Sequence, residues 1–137
     1  SIVKNYSKVE SSAPQGFFTH KNESADYSYS TPGDKICIRL GTVENYPPAD
    51  TRFWNEALTL DMANRHMETD PARSLMNQYG LEFNVFTCKP TGGPVYQVAV
   101  AVKGQTIIVA EIIFREAEDY SSQQERITAF LKTVRLP

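Results

Sequence analysis

Three consecutive strand-like segments constrain the fold of this chain more than any other feature: the first two alternate in side-chain character, and the third is long and rich in β-branched residues. They span residues 81–88, 95–103 and 106–115, and the turn-forming sequences 90–94 (PTGGP) and 103–105 (KGQ) separate them. Alternation is typical of strands, because successive side chains point to opposite faces of a sheet. Such short connections join neighbouring strands antiparallel. The second half of the chain therefore predicts a three-stranded antiparallel meander.

The first half shows a similar pattern. Residues 16–20, 25–30 and 35–41 predict a second antiparallel meander, with a turn at Thr31-Pro32-Gly33-Asp34. Residues 43–49 predict a loop. Residues 1–13 are polar and weakly patterned, which indicates an extended lead-in or tether before a single domain at 14–137.

Three helices are predicted between and after these meanders. Apolar residues including Trp54 recur at helical spacing over 51–68. Asp70-Pro71 predicts a second helix that stops at Gly80. A last helix is predicted from Ser121-Ser122, with Glu125 completing a capping box. Grouped strands and separate helices indicate an α+β fold, with a mostly antiparallel sheet flanked by helices.

The composition argues against several classes of function. The chain has 137 residues, a net charge of −2, two histidines and two cysteines. It contains no CxxC pair, no glycine-rich phosphate loop and no G-x-S-x-G elbow. We therefore expect that the protein is not an enzyme and that it has neither a metal site nor a cofactor. The charge argues against nucleic-acid binding. Cys37 and Cys88 either form a disulfide or remain as two buried free thiols, and the sequence leaves both options open.

Acidic residues are concentrated in two blocks. Residues 44–70 carry six acids and two arginines, and residues 116–125 carry four acids and no base. Part of this pattern is ordinary helix chemistry, since carboxylates stabilise helix N-termini. The rest indicates an acidic surface for a cationic partner, with loop tyrosines beside the acids. The predicted partner-binding residues are Glu44, Tyr46, Asp50, Glu116, Glu118, Asp119 and Tyr120.

The last two-fifths of the chain also resembles a known group of proteins. The resemblance lies in the strand at 98–102, the Gly104 turn, the strand at 107–114, the acidic segment 118–120 and the final helix ending at 130–135. This order is similar to that of the Mog1/PsbP-like superfamily, which implies an α/β/α sandwich.

Within that superfamily, the chain resembles the periplasmic immunity lipoproteins of type VI secretion that neutralise a peptidoglycan muramidase effector. The resemblance implies a protein that binds a secreted hydrolase and occludes its active cleft, without catalytic residues. It also implies a periplasmic location, with membrane attachment only through a lipid tether that this chain lacks. The alternatives are a small-ligand-binding or enzymatic α+β domain, and an accessory subunit or adaptor of a secretion or photosynthetic assembly.

Overall fold

A computed structural model describes residues 9–20, 27–44, 68–89 and 93–137, and the side chains of residues 68–71 are not described. Seven strands form one antiparallel sheet in the order β1-β2-β3-β7-β6-β5-β4. The strands are β1 Phe18–Thr19, β2 Tyr29–Ser30, β3 Ile36–Glu44, β4 Glu68–Met76, β5 Glu82–Lys89, β6 Val95–Lys103 and β7 Thr106–Phe114. The α-helices of the described residues are α1, Ala117–Ser122, and α2, Gln124–Leu131, and a short 3₁₀ helix spans Pro32–Asp34. The predicted α+β class is confirmed.

Both predicted meanders are present. Strands β5, β6 and β7 pair in sequence order, and the hairpin between β6 and β7 turns at Gly104, whose φ of 60° suits glycine. Strand β3 extends to Glu44, so the loop predicted from residue 43 begins later. Strand β3 then pairs with β7 over nine positions, from Ile36 opposite Phe114 to Glu44 opposite Thr106. This long-range pairing joins the two meanders into one sheet.

One face of the sheet carries the main core. Its buried side chains alternate along β3, β5, β6 and β7 and pack against α2 through Ile127, Phe130 and Leu131. The opposite face carries two smaller apolar clusters, one around Val100 and Val109 and one around Phe86 and Cys88. The helix predicted at 51–68, with Trp54, lies outside the described residues apart from Glu68, which begins β4.

The helix predicted from Asp70-Pro71 to Gly80 is wrong, because these residues form strand β4 and its turn. Arg73 to Met76 pair regularly with β5, and the register shifts between Asp70 and Arg73, around Pro71. A bulge tolerates proline because that position makes no regular ladder bond. Gly80 has a φ of 77° in the β4–β5 turn, so it serves a hairpin instead of ending a helix.

The predicted start of the last helix is also wrong. Residues 117–120, read as loop, form most of α1, and Glu116 is its N-cap. Ser122 ends α1, and α2 begins two residues later with Gln123 as its N-cap. Neither cap makes a side-chain hydrogen bond, so the capping box with Glu125 does not form.

Part of the predicted lead-in contacts the rest of the protein. We call residues 9–17 the N-terminal strap. Glu10 forms an antiparallel bridge with Arg135, with backbone N–O distances of 2.8 and 2.9 Å in the two directions. The Ser12 amide donates to Thr133 Oγ1 at 3.0 Å, and Val9 and Phe17 pack against the main core. Since Arg126 also contacts the Gln15 carbonyl, the strap lies along α2 and the residues that follow it. The domain boundary at residue 14 stays a prediction.

Candidate partner-binding site

The structure places the predicted partner-binding residues at opposite ends of the sheet. Glu44 ends β3 opposite Thr106, whereas Glu116 lies just beyond Phe114, at the other end of the same strand pair. Eight residue steps of about 3.4 Å separate these ends by about 27 Å. The two acidic blocks therefore do not belong to one compact contact surface. Tyr46 and Asp50 lie outside the described residues.

The second acidic block forms a compact feature that we call the acidic turn, Glu116–Asp119. Glu116 has an extended backbone with φ −123°, and Glu118 and Asp119 occupy the first turn of α1. Carboxylates at this position favour the helix because exposed backbone N–H groups point toward them. Glu116 and Glu118 are exposed, and Asp119 is half-buried with no hydrogen-bond partner at its Oδ2 atom. Replacing these acids by alanine therefore removes charge without breaking a buried side-chain hydrogen bond.

Tyr120 fixes the acidic turn to the sheet. Its ring meets Phe114 edge-on, with centroids 5.6 Å apart and an interplanar angle of 79°. The Lys89 ammonium lies 5.0 Å from the centroid of the same ring. Edge-to-face and cation–π contacts both stabilise this position. Tyr120 is thus a half-buried anchor of α1, rather than the loop tyrosine that the sequence indicated.

A polar network beside Tyr120 holds the start of α2 on the sheet. Gln97 is 1 % exposed, and it exchanges two amide hydrogen bonds with Gln124, of 3.1 and 3.2 Å. Gln97 also donates to Thr87 Oγ1 at 3.2 Å, and Gln124 donates to the Tyr120 carbonyl at 2.9 Å. Arg73 donates to Gln124 Oε1 at 3.3 Å. Buried amides with paired donors and acceptors hold a single geometry, so the network fixes the helix that follows the acidic turn.

The two cysteines are free and buried. Register places Cys37 opposite Ile113, Ile113 opposite Tyr96, and Tyr96 opposite Cys88. The cysteines thus share one row of the sheet but stand three strands, about 14 Å, apart. A disulfide needs Cα atoms about 4.4–6.8 Å apart, so the disulfide option is excluded in this fold. Burial, followed by the Asp34 charge, raises the pKa of the Cys37 thiol and keeps it protonated at neutral pH.

Sequence reasoning missed a buried polar side chain that makes four hydrogen bonds. Asn77 is buried in the β4–β5 turn, and its Oδ1 accepts from the Tyr79 and Leu81 amides at 2.8 and 3.0 Å. Its Nδ2 donates to the carbonyls of Leu131 and Val134 at 3.2 and 2.6 Å. An asparagine three residues before a glycine is a turn signal, but the false helix prediction over 70–80 concealed it.

A shallow cavity of about 290 Å³ lies between the N-terminal strap and α2. Pro14, Ala129 and Phe130 supply apolar lining, and Glu125 and Arg126 supply charge. The Arg126 guanidinium donates to the Gln15 carbonyl at 3.4 Å, which closes one side. The cavity is therefore separate from the acidic turn.

Within the described parts of the chain, no three His, Cys, Asp or Glu side chains converge to hold a metal ion. Among the same residues, no helix has the length and apolar character needed to cross a membrane.

Comparisons with known proteins bear on the fold. No family model matches the sequence, and no curated protein matches it. A solved structure that resembles the chain is the solution structure of cyanobacterial PsbP (CyanoP) from Synechocystis sp. PCC 6803. The TM-score is 0.58 at 8 % sequence identity, over 95 % of this chain and 93 % of that chain. This likeness concerns the fold alone, and it shows that the chain shares the α+β fold of that protein.

Proposed function

We propose that this protein is a non-catalytic immunity protein that binds a secreted peptidoglycan-degrading effector and occludes its active cleft with the acidic turn. The observation that carries the proposal is the rigid attachment of Glu116, Glu118 and Asp119 at one end of the sheet. The proposal includes a periplasmic location and a lipid tether upstream of this chain, as the family resemblance implies.

Rigidity supports an inhibitory role because a preformed surface loses little conformational entropy when it binds. Tyr120 anchors α1 to β7, and the Gln97–Gln124 pair anchors the start of α2. The three acids therefore lie at the start of the short helix α1, which Tyr120 and the Gln97–Gln124 pair hold against the sheet. A groove that holds an extended polymer is open enough to admit such a projection.

Charge supports the choice of partner surface. The acidic turn carries three carboxylates within four residues. Facing cations on an effector would speed association, and a carboxylate desolvated in the cleft would also slow dissociation. Since Glu44 lies about 27 Å away along the strands, the proposal commits to the α1 end of the sheet.

The test is a matched pair of double variants titrated against the candidate hydrolase. Glu118→Ala/Asp119→Ala removes two charges from the acidic turn, and Glu44→Ala/Glu82→Ala removes two from the opposite end. Tyr120 is retained because its loss would disturb packing. In the control, Ser74 Oγ loses Glu82 but keeps Asn84 Oδ1 at 3.3 Å.

We expect the acidic-turn variant to lose inhibition of peptidoglycan hydrolysis while its circular dichroism stays unchanged. A desolvated carboxylate would cost about 2–5 kcal/mol and act mainly on dissociation, whereas a rim charge would change the association rate modestly. The control should inhibit like the original protein. Equal inhibition by both variants would contradict a role for the acidic turn, and selective loss in the control would place the contact at the Glu44 end.

A second candidate function is small-ligand binding, and the cavity beside the N-terminal strap favours it. Its volume of about 290 Å³ is close to the lower limit for ligand pockets, and it combines an apolar lining with the charges of Glu125 and Arg126. Filling it with Ala129→Leu should leave hydrolase inhibition unchanged under the immunity proposal. The accessory-subunit alternative has the fold similarity to cyanobacterial PsbP in its favour.

A further inference from the structure

A chain of side-chain hydrogen bonds leads from the interior of the sheet to the acidic turn. It begins at Thr87 on β5, whose Oγ1 accepts from Gln97 Nε2 at 3.2 Å. Gln97, on β6, exchanges two amide hydrogen bonds with Gln124, the first residue of α2. Gln124 Nε2 also donates to the carbonyl of Tyr120 at 2.9 Å, and Tyr120 directly follows Asp119. The chain therefore connects two strands to the helix that carries the acids.

The inner part of this chain is closed to water. Gln97 and Thr87 are buried, whereas Gln124 is half-buried. Gln97 Nε2 donates to both Thr87 Oγ1 and Gln124 Oε1, and Gln97 Oε1 accepts from Gln124 Nε2. A buried amide with this set of partners has one orientation, because turning it over would place donors against donors. The donor that reaches the Tyr120 carbonyl is therefore held in place from inside the sheet.

Helix α1 needs such support because it has little of its own. It has six residues, none of them buried, and its N-cap Glu116 makes no side-chain hydrogen bond. A helix this short is unstable in water without tertiary contacts. The Tyr120 ring packs against Phe114, and the Gln124 amide holds the Tyr120 carbonyl. The ring contact fixes the side chain, whereas the hydrogen bond fixes the backbone that leads to the acids.

We propose that Gln97 is a positioning residue of the acidic turn: through Gln124 it holds the backbone of α1 in the conformation that binds the effector. The inference rests on the proposed function and deepens it, since it names an interior residue that sets the dissociation rate of the complex. The charges of the acidic turn act at a distance and govern association. The network acts once the acids are seated, because a preformed surface loses less entropy in the complex. Its loss therefore speeds dissociation and leaves association nearly unchanged.

The test compares two variants of the full chain. Gln97→Leu/Gln124→Leu, the network variant, removes the donor to the Tyr120 carbonyl but leaves no unpaired amide at either position, so it limits the loss of stability. Arg73 is exposed, and water replaces the Gln124 acceptor that it loses. The control is Asn77→Ala, which breaks buried hydrogen bonds at the other end of α2 and keeps the whole chain from Thr87 to Tyr120. Both variants retain all the acids of the acidic turn.

Three measurements are made on each variant and on the unmodified protein. Hydrogen exchange in the ¹⁵N-labelled free protein follows the amides of Asp119 and Gln123, which donate to the Glu116 and Asp119 carbonyls at 3.1 and 3.0 Å. Surface plasmon resonance against the candidate hydrolase gives the association and dissociation rate constants at low and high salt. Urea unfolding gives the stability, which would change in parallel with binding if Gln97 had a purely structural role.

We expect the network variant to exchange the two amides faster and to leave the hydrolase about two- to tenfold faster, with the salt dependence of association unchanged. Asn77→Ala should dissociate like the unmodified protein although it loses more stability. An unchanged dissociation rate or unchanged amide exchange in the network variant overturns the inference, and so does dissociation that follows stability in both variants. If the unmodified protein does not bind the hydrolase, the proposed function fails, and amide exchange alone then decides whether Gln97 positions α1.

Discussion

Replacing Asn77 by alanine should destabilise the protein more than any other single polar-to-alanine change among the described residues. The side chain makes four hydrogen bonds: two lie within the β4–β5 turn, and two join the turn to the Leu131 and Val134 carbonyls at the end of α2. The turn and the end of α2 are more than 50 residues apart in the sequence, so the residue stabilises a tertiary contact as well as a local turn.

The size of the effect follows from the groups that alanine would leave behind. The Leu81 amide and the Val134 carbonyl belong to buried residues and would lose their partners. Each buried unpaired group costs about 1–3 kcal/mol. The Leu131 carbonyl still accepts from the Val134 amide, and water can reach the amide of half-exposed Tyr79. The expected loss is therefore about 3–5 kcal/mol, a large part of the 5–15 kcal/mol that typically stabilises a domain.

Urea unfolding followed by circular dichroism measures this loss, with Gln78→Ala as the neighbouring exposed control. Asn77→Asp is a more specific test. Its carboxylate can still accept from the Tyr79 and Leu81 amides, but it places an oxygen instead of an N–H donor toward the Leu131 and Val134 carbonyls. The pKa of that carboxyl should be raised, so the native state binds the proton more tightly than the unfolded chain. Stability of Asn77→Asp should therefore increase as the pH falls through the range in which the carboxyl titrates. A loss below about 1 kcal/mol for Asn77→Ala would refute the reasoning.

Three further predictions concern buried polar groups. Burial raises the pKa of the Cys37 thiol, so the native protein keeps this proton at pH values where the unfolded chain has lost it. Stability should therefore decline as the pH rises above about 8.5, where the thiol of the unfolded chain ionises, and Cys37→Ala should flatten the decline in urea titrations. Because both thiols are free and buried, a thiol reagent should label them only after unfolding, and a reductant should leave the melting temperature unchanged. Gln97→Leu should cost about 1–3 kcal/mol because it leaves buried partners unpaired, and Gln97→Leu/Gln124→Leu should cost less than the sum of the two single changes in thermal unfolding.

The candidate site shows where local reasoning is sufficient and where it fails. The charge of Glu116, Glu118 and Asp119 is evident from the sequence, and so is their place just after a strand. The helix that Glu116 caps and that contains Glu118 and Asp119 is held by Tyr120 packing against Phe114, six residues earlier, which no local pattern indicates. The separation of Glu44 from the acidic turn depends on the pairing of β3 with β7, which joins residues up to 78 positions apart in the sequence.

The sequence by itself determined the two meanders, because alternation with a period of two needs only neighbouring residues to be recognised. It did not determine residues 70–80, where Asp-Pro and a later glycine favour a helix locally but pairing with β5 makes a strand. The tertiary structure also decided that Cys37 and Cys88 stay apart and that Asn77 joins a turn to a helix. The physical reason is the same in each case: backbone ladders and buried hydrogen bonds draw their free energy from partners that are distant in the sequence, and these partners override weak local propensity.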